Sequence, residues 1–375
     1  MSFLRLGLTA FGGPAMVAYI REFAVTRHQW LDEADFNNGV ALCQSIPGAT
    51  AIQAAAYVGL RVRGISGAMA AYVGFGFPAF ISMLIFSMLY VRFSNLPKFI
   101  SLFNGLQVIV VAIIFNAIYS FGKGMIKNYI QIAFALISAY LFWMGISPFI
   151  VIIAGALAGM VLNKETVPTA PRMIDEKKLN KEYGKQVLFL FVLLVACLGG
   201  LYFADEKNLD LAAVMLQIDL FAFGGGFASV PLMLQKVVNV RAWMDYRTFM
   251  DGIALGQITP GPIVITATFV GYLLNGLSGA LIATIAIFTP SFLILICTSP
   301  FYDRLKTTRY FTRATEGILA SFLGLLLYVG IRFLTAVPWN ILKIFLGIAV
   351  LIALIRKIDI LYIVAAGAIF SLIFF

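Results

Sequence analysis

The sequence contains two related copies of one segment. Residues 11–23 read FGGPAMVAYIREF, and residues 223–235 read FGGGFASVPLMLQ. The likeness continues in the same order, because QSIPG at 44–48 corresponds to QITPG at 257–261, and the copies stay 212 or 213 residues apart. Similarity that keeps its order and spacing indicates two modules that descend from one ancestral unit.

The composition places both modules in a membrane. The chain has 375 residues, of which 61% are hydrophobic and 12% are charged, and its mean hydropathy is +0.96. A soluble globular protein is excluded by these values. Stretches such as 64–90 carry no charge and exceed the roughly 20 residues that a transmembrane helix needs. The alternating pattern of a membrane β-barrel does not appear, so the sequence predicts an all-α, multi-pass protein of the cell (plasma or inner) membrane, surrounded by lipid.

Hydropathy predicts about 13 transmembrane segments in two homologous modules. Residues 1–162 form the N-terminal module, 163–186 a charged cytoplasmic linker, and 187–375 an extra helix followed by the C-terminal module. The predicted spans are 3–24, 38–60, 66–91, 104–121, 129–145, 148–162, 187–204, 211–235, 250–273, 278–299, 316–334, 339–355 and 359–375.

The number of crossings between equivalent spans is odd, which predicts an inverted-topology repeat. If the first two spans of each module are re-entrant arms instead, the number stays odd, and the sequence leaves these alternatives open. Most of the 27 Lys and Arg residues then fall on the side of the linker. The positive-inside rule therefore predicts a cytoplasmic N-terminus and a C-terminus outside.

Several kinds of chemistry are excluded by the residues that could carry them. The three cysteines stand singly in apolar segments, and His28 is the only histidine. We therefore predict no metal site, no cofactor and no catalytic residues. The net charge of +10 is explained by orientation in the membrane rather than by nucleic-acid binding.

The candidate substrate site lies where Gly and Pro interrupt the first two spans of each module. A broken helix frees backbone N–H groups and starts a half-helix with a positive end, which attracts anions, and transporters with inverted repeats place such breaks near the midplane. Neutral side chains nearby could add donors, although the glutamines are equally explained as an interhelical pair. The predicted substrate-binding residues are Gly12, Gly13, Pro14, Gln44, Pro47, Gly48, Thr50, Gly224, Gly225, Gly226, Gln257, Thr259, Pro260, Gly261 and Pro262.

Charged residues near these breaks have competing interpretations. Asp219 lies one turn before the second glycine-rich break and has Gly7 as its counterpart, so it is a candidate for proton coupling or an interfacial residue. Arg21 and Glu22 are interpreted as an interfacial pair. Asp32 and Asp245 follow tryptophans and are predicted to be helix N-caps.

Together these motifs resemble the long, two-module form of the chromate ion transporter family. The resemblance rests on Phe11-Gly12-Gly13-Pro14, Ala41 to Ala49 and Tyr57-Val58-Gly59, and on the second copies at 223–226, 254–262 and 269–271. It departs from the family pattern at Ala49, where a second proline is usual, and at Asp219, where a glycine is usual. Family membership implies outward transport of chromate, with sulfate as its isosteric relative, driven by the proton motive force.

Three classes of function can be compared with these residues. The first is a secondary transporter of a small divalent oxyanion that works by alternating access, as a monomer or as a homodimer. The second is a passive anion channel with the same fold. The third is an intramembrane enzyme, which would need a cluster of acids, histidines or a nucleophile with its base, and the sequence does not offer one.

Overall fold

The computed structural model describes residues 2–10, 14–126, 129–162, 181–302 and 309–375. These residues are almost entirely helical and include no β-strand. In the N-terminal module the helices are α1 (Ser2–Thr9), α2 (Pro14–Arg21) with a π-helical turn (Glu22–Arg27), α3 (Glu33–Ser45), α4 (Thr50–Phe93), α5 (Pro97–Met125), α6 (Tyr129–Trp143) and α7 (Pro148–Leu162).

The C-terminal module repeats this order after one additional helix. The additional helix α8 (Lys181–Ala204) begins six residues before its predicted start, so residues 181–186 of the predicted linker are helical. The repeat comprises α9 (Glu206–Leu220), α10 (Gly226–Met233) with a π-helical turn (Leu234–Val240), α11 (Tyr246–Ile258), a 3₁₀ turn (Ile263–Ile265), α12 (Thr266–Thr298), α13 (Arg309–Ala336), α14 (Ile341–Ile355) and α15 (Ile360–Phe374).

Five of the described helices are long and apolar enough to cross a membrane. They are Thr50–Phe93, Pro97–Met125, Tyr183–Ala204, Ile263–Phe301 and Tyr310–Ala336. Four shorter apolar helices of 10–17 residues follow α5 and α13 in matching pairs. A helical, multi-pass membrane protein is therefore confirmed, whereas the predicted total of about 13 crossings stays a prediction.

The first predicted span, 3–24, is a helical hairpin rather than one continuous helix. The rings of Phe3 and Phe23 have centroids 6.1 Å apart. In a single helix these residues would be separated by about 30 Å, at 1.5 Å per residue. The chain must therefore reverse between α1 and α2, and we call residues 2–10 and 14–27 hairpin A.

The predicted span 38–60 also reverses. A Cβ on Gly39 of α3 would lie 2.2 Å from the ring of Tyr57, so α3 packs closely against the first arm of α4. Arg61 closes the base of this pair by donating from Nε and Nη2 to the Asp35 carboxylate at 2.9 and 2.8 Å. We call residues 33–62 hairpin B.

The C-terminal module contains the equivalent hairpins. Arg241, after the π-helical turn, forms an ion pair with Asp210 near the start of α9, which joins the two ends of hairpin C (residues 206–240). A Cβ on Gly252 of α11 would lie 2.5 Å from the ring of Phe269, which joins the arms of hairpin D (residues 246–274). The sequence left full crossing and re-entrant arms open, and these contacts favour re-entrant arms.

A tight turn follows hairpin B and again hairpin D. In α4 the helical backbone is interrupted at Arg63 and Gly64, where Gly64 has φ +66°. Beyond the turn Gly67 lies against Gly59, whereas eight residues of straight helix would separate them by about 12 Å. The same interruption at Asn275 and Gly276 precedes the second arm of α12.

The two modules pack against each other reciprocally. α5 of the first module packs on α14 and α15 of the second, and α13 packs on α6 and α7 of the first. One of these close contacts joins glycines, since a Cβ on Gly317 of α13 would lie 2.0 Å from the carbonyl oxygen of Gly155 in α7. This exchange of equivalent partners brings hairpins A to D together.

Candidate functional site

The tips of the four hairpins meet in pairs that join the two modules. The Gly48 N–H at the tip of hairpin B donates to the Ala222 carbonyl at the tip of hairpin C, at 3.0 Å. The Gly261 N–H at the tip of hairpin D donates to the Ala10 carbonyl of hairpin A, at 2.9 Å. Ala10 and Ala222 are repeat equivalents, as are Gly48 and Gly261, so both bonds follow one pattern.

A cavity of about 770 Å³ lies between these tips. Nine predicted site residues line it: Gln44, Thr50, Gly224, Gly225, Gly226, Gln257, Thr259, Gly261 and Pro262. At the other end the cavity is lined by Arg21 and Asn37, which are exposed, and by the end of α5 at Gly124 and Met125.

The other predicted site residues have different positions. Gly12 and Gly13 lie outside the described residues, and Pro14 begins α2. Pro47, Gly48 and Pro260 are buried behind the cavity rather than lining it. Because the N–H groups of Gly48 and Gly261 bond to the opposite module, these two glycines position the tips and have no free amide for a ligand.

Two glutamines line the cavity. Gln257 is 8% exposed, and its Nε2 has no hydrogen-bond partner among the described residues. Gln44, its repeat equivalent, lines the same cavity. A buried amide donor without a partner costs about 1–3 kcal/mol, so the site leaves the Gln257 Nε2 donor with an unmet hydrogen bond.

Two helix N-termini also border the cavity. α4 starts at Thr50, and α10 starts at Gly226 after Gly225, whose φ is +91°. The first N–H groups of a helix have no partner inside that helix, and its dipole adds about half a positive charge. The cavity therefore combines unpaired amides with positive dipole ends, which is an environment for an anion.

One arginine contributes a full positive charge. Arg21, at the end of α2, donates from Nε and Nη2 to the two carboxylate oxygens of Glu33, at 2.7 Å each. This hydrogen bonding lowers the pKa of the Glu33 carboxyl. The predicted pairing with Glu22 is wrong, because neighbouring residues on a helix do not face each other.

Asp219 lies next to the tips but does not line the cavity. It is fully buried in α9, and its Oδ2 accepts the Ser291 N–H of α12 at 2.7 Å. Its Oδ1 has no partner among the described residues. Tyr72 of α4 reaches the same serine, with its hydroxyl 2.9 Å from Ser291 Oγ. Asp219 is therefore enclosed by protein, and its role in proton coupling stays a prediction.

A second buried acid, Asp251, was missed by the sequence analysis. Its carboxylate accepts Gln107 Nε2 of α5 at 2.8 Å and the Tyr90 hydroxyl of α4 at 2.9 Å. It therefore joins hairpin D to two long helices of the other module. The rule that an ionisable residue inside an apolar segment is functional by default would have identified it.

The N-caps were predicted correctly. Asp32 accepts the Asp35 N–H at 2.6 Å, and Asp245 accepts the Thr248 N–H at 2.7 Å. These caps fix the starts of α3 and α11.

Within the described residues no group of three His, Cys, Asp or Glu could hold a metal ion.

Apolar helices, reciprocal modules and a cavity at the hairpin tips define a multi-pass membrane transport protein. Residues 1–160 and 209–372 match the chromate transporter family, and the chain belongs to this family. Its members are transporters, so this protein is a transporter rather than an enzyme.

The chain is also similar to individual members of known sequence. It is 45% identical to an uncharacterised transporter of Methanocaldococcus jannaschii over 97% of this chain and 90% of that protein. It is 32% identical to a chromate transport protein of Cupriavidus metallidurans, over 86% and 79% of the two chains. A chromate transport protein of Pseudomonas aeruginosa is 28% identical over 86% and 77%. No solved structure matches the chain.

Proposed function

We propose that this protein is a secondary transporter that carries a small divalent oxyanion, chromate or its sulfate-like analogue, out of the cell. The proton motive force drives it. The observation that carries this proposal is the cavity between the hairpin tips, where the α4 and α10 N-termini meet the amides of Gln44 and Gln257.

The cavity suits an oxyanion better than a cation or an apolar solute. The side chains that line it include one arginine, amides and hydroxyls, all of which can donate hydrogen bonds, and no carboxylate of the described residues lines it. A volume of about 770 Å³ exceeds that of one tetrahedral oxyanion, so the ion can enter with part of its hydration shell. Neutral donors bind a doubly charged ion without trapping it, which a carrier requires.

The two ends of the site differ in a way that supports alternating access. The cavity extends toward Arg21 and Asn37 of the first module. The equivalent positions of the second module are Met233 and Met250, both fully buried. The path related by the repeat is thus closed by apolar side chains, which favours a carrier over a channel.

An inverted repeat with re-entrant hairpins is consistent with the charge distribution. If the hairpins do not cross, the second arms of α4 and α12 with α5 to α8 and α13 to α15 give nine crossings. Of the 27 Lys and Arg residues, 19 then lie on the side of the N-terminus and 8 on the other side. This bias supports a cytoplasmic N-terminus, and with that orientation the open end of the cavity faces the cytoplasm.

The decisive experiment is flux into proteoliposomes that contain the purified protein. Labelled chromate and labelled sulfate are offered with and without an imposed pH gradient. We expect saturable chromate flux that the gradient accelerates and that unlabelled sulfate inhibits. Flux that does not change with the pH gradient would indicate a channel, and absence of flux for both anions would contradict the proposal.

Asp219 is the residue that we expect to link flux to pH. Asp219→Asn keeps an acceptor oxygen for the Ser291 N–H, so the fold should be retained, while the ionisable group is lost. We expect the variant to transport along an anion gradient with little response to an imposed pH gradient. Asp251→Asn is the matched control, because that acid is bonded by Gln107 and Tyr90 and should keep the response. An unchanged response in Asp219→Asn would assign Asp219 to packing alone.

Reporter fusions test the topology. A reporter at the N-terminus should be active in the cytoplasm, and one after Phe375 should be active outside. Detection of both on one side would contradict an odd number of crossings.

The homodimer stays a prediction, because lipid or a second copy would cover the apolar outer surface equally well.

A further inference from the structure

Arg21 has an environment that differs from those of the other arginines at the hairpin bases. Among the described residues that line the cavity, it is the only one with a positive charge. Its side chain and that of Glu33 are each 49% exposed. Ion pairs with this exposure hold weakly, because water and salt screen them.

The geometry of the pair leaves part of the guanidinium available. Glu33 accepts one N–H from Nε and one from Nη2, and it also accepts Asn37 Nδ2 at 3.4 Å. A guanidinium carries five N–H donors, so three remain, two of them on Nη1. The described residues offer no hydrogen-bond acceptor to Nη1.

We propose that Arg21 is an outer binding site that captures the oxyanion at the mouth of the cavity. Glu33 holds the guanidinium in place and offsets its charge. This inference rests on the proposed function and names the residue through which the substrate enters. A planar guanidinium presents paired donors that match two oxygens of a tetrahedral oxyanion, which a lysine would not do. The offset by Glu33 keeps capture weak enough for the anion to move on to Gln44 and Gln257.

The capture site exists on one side only. The repeat equivalents of Arg21 and Glu33 are Met233 and Tyr246, which carry no charge at neutral pH. At this position of the hairpin base, an anion that arrives from the face of the first module therefore meets a cation, and one that arrives from the opposite face does not. This asymmetry favours loading from the side that the cavity opens to.

The test compares Arg21→Gln with Arg61→Gln in oriented proteoliposomes. Arg61 forms a similar two-bond pair with Asp35 on the neighbouring hairpin base but does not line the cavity. We expect Arg21→Gln to raise the KM for chromate about tenfold, the factor that corresponds to one lost charge-assisted contact. The effect should appear for loading from the cavity side and not from the opposite side. Arg61→Gln should stay within about twofold of wild type.

Two further variants separate capture from structure. Glu33→Gln should lower the KM and also lower kcat, because an unopposed Arg21 holds the anion longer. Arg21→Lys should recover part of the affinity, because it restores the charge without the paired donors. If Arg21→Gln leaves the KM unchanged while wild type transports chromate, the capture site is refuted and the proposed function stands. If wild type transports neither anion, both are refuted.

Discussion

Substitution of Gly226 by leucine should abolish transport while the protein remains folded. Gly226 is the first residue of α10 and lines the cavity. A Cβ there would meet only Ile263 and Val264 methyl groups at 3.4 Å and Ala49 at 3.7 Å, so the backbone can accept a side chain. The rest of the leucine must extend into the space that we assign to the anion.

The expected loss is at least a hundredfold in flux. Leucine covers the N–H groups at the start of α10 and displaces the anion from the α4 N-terminus, and two lost contacts of about 1.4 kcal/mol each correspond to tenfold each. Flux of labelled chromate measures the effect, and thermal unfolding in detergent checks the fold. Gly226 serves this test better than Gly225, because the φ of +91° at Gly225 would strain any other residue.

Gly200→Leu is the matched control for Gly226→Leu. Gly200 lies on α8, is exposed, and has no atom within 4 Å of the position of a Cβ. The same substitution there should leave flux unchanged. Wild-type flux in Gly226→Leu would show that the anion does not pass the tip of hairpin C.

Much of this architecture could be predicted from the repeat. The two FGG segments and the two QxxPG segments predicted where the helices are interrupted, because glycine and proline at equivalent places in two copies are a strong local signal. Residues 148–162 and 359–375 also match helices α7 and α15 to within one residue. Apolar composition alone was sufficient for these peripheral helices.

The reversal of the chain at each break could not be predicted. A Gly-Gly-Pro segment is compatible with a kink, an interrupted span or a hairpin, and a hydropathy window gives one value for all three. The choice depends on contacts such as that between Phe3 and Phe23, which lie 20 residues apart in sequence. The partner of Arg21 was predicted incorrectly for a similar reason. Glu33 comes near Arg21 only because hairpins A and B lie side by side.

The contacts of Asp251 could not be predicted from the sequence for a different reason. Its neighbours between Phe249 and Gly256 are apolar. Its repeat equivalent is Asn38, so comparison of the two modules does not show an acid at this position in both. Its partners Tyr90 and Gln107 belong to the other module and could not be inferred from spacing.

Gly48→Ala should strongly destabilise the protein, because it adds both backbone strain and steric overlap at the tip of hairpin B. A Cβ on Gly48 would lie 2.2 Å from Ser291 Cβ and 2.8 Å from Gln53 Nε2. Its φ of +115° adds backbone strain of about 1–3 kcal/mol, and overpacking against Ser291 adds about 1–3 kcal/mol. We expect a total loss of about 2–6 kcal/mol in the free energy of unfolding.

Gly64→Ala separates strain from steric overlap. Gly64 also has a positive φ, +66°, but no atom lies within 4 Å of its Cβ position, so alanine there costs the backbone strain alone. Unfolding of both variants by heat in one detergent measures the difference. An equal loss in the two variants would show that the tip of hairpin B is not tightly packed against α12.

A second substitution shows which atoms are responsible. Ser291→Gly removes the Cβ that overlaps the new methyl group, so Gly48→Ala combined with Ser291→Gly should be more stable than the sum of the single effects predicts. Without the overlap, the N–H of residue 48 can again donate to the Ala222 carbonyl, and this hydrogen bond joins hairpin B to hairpin C. Because the cavity exists only where these tips meet, recovery of stability and of chromate flux should occur together. Recovery of stability without flux would mean that the tips hold the fold but do not form the path of the anion.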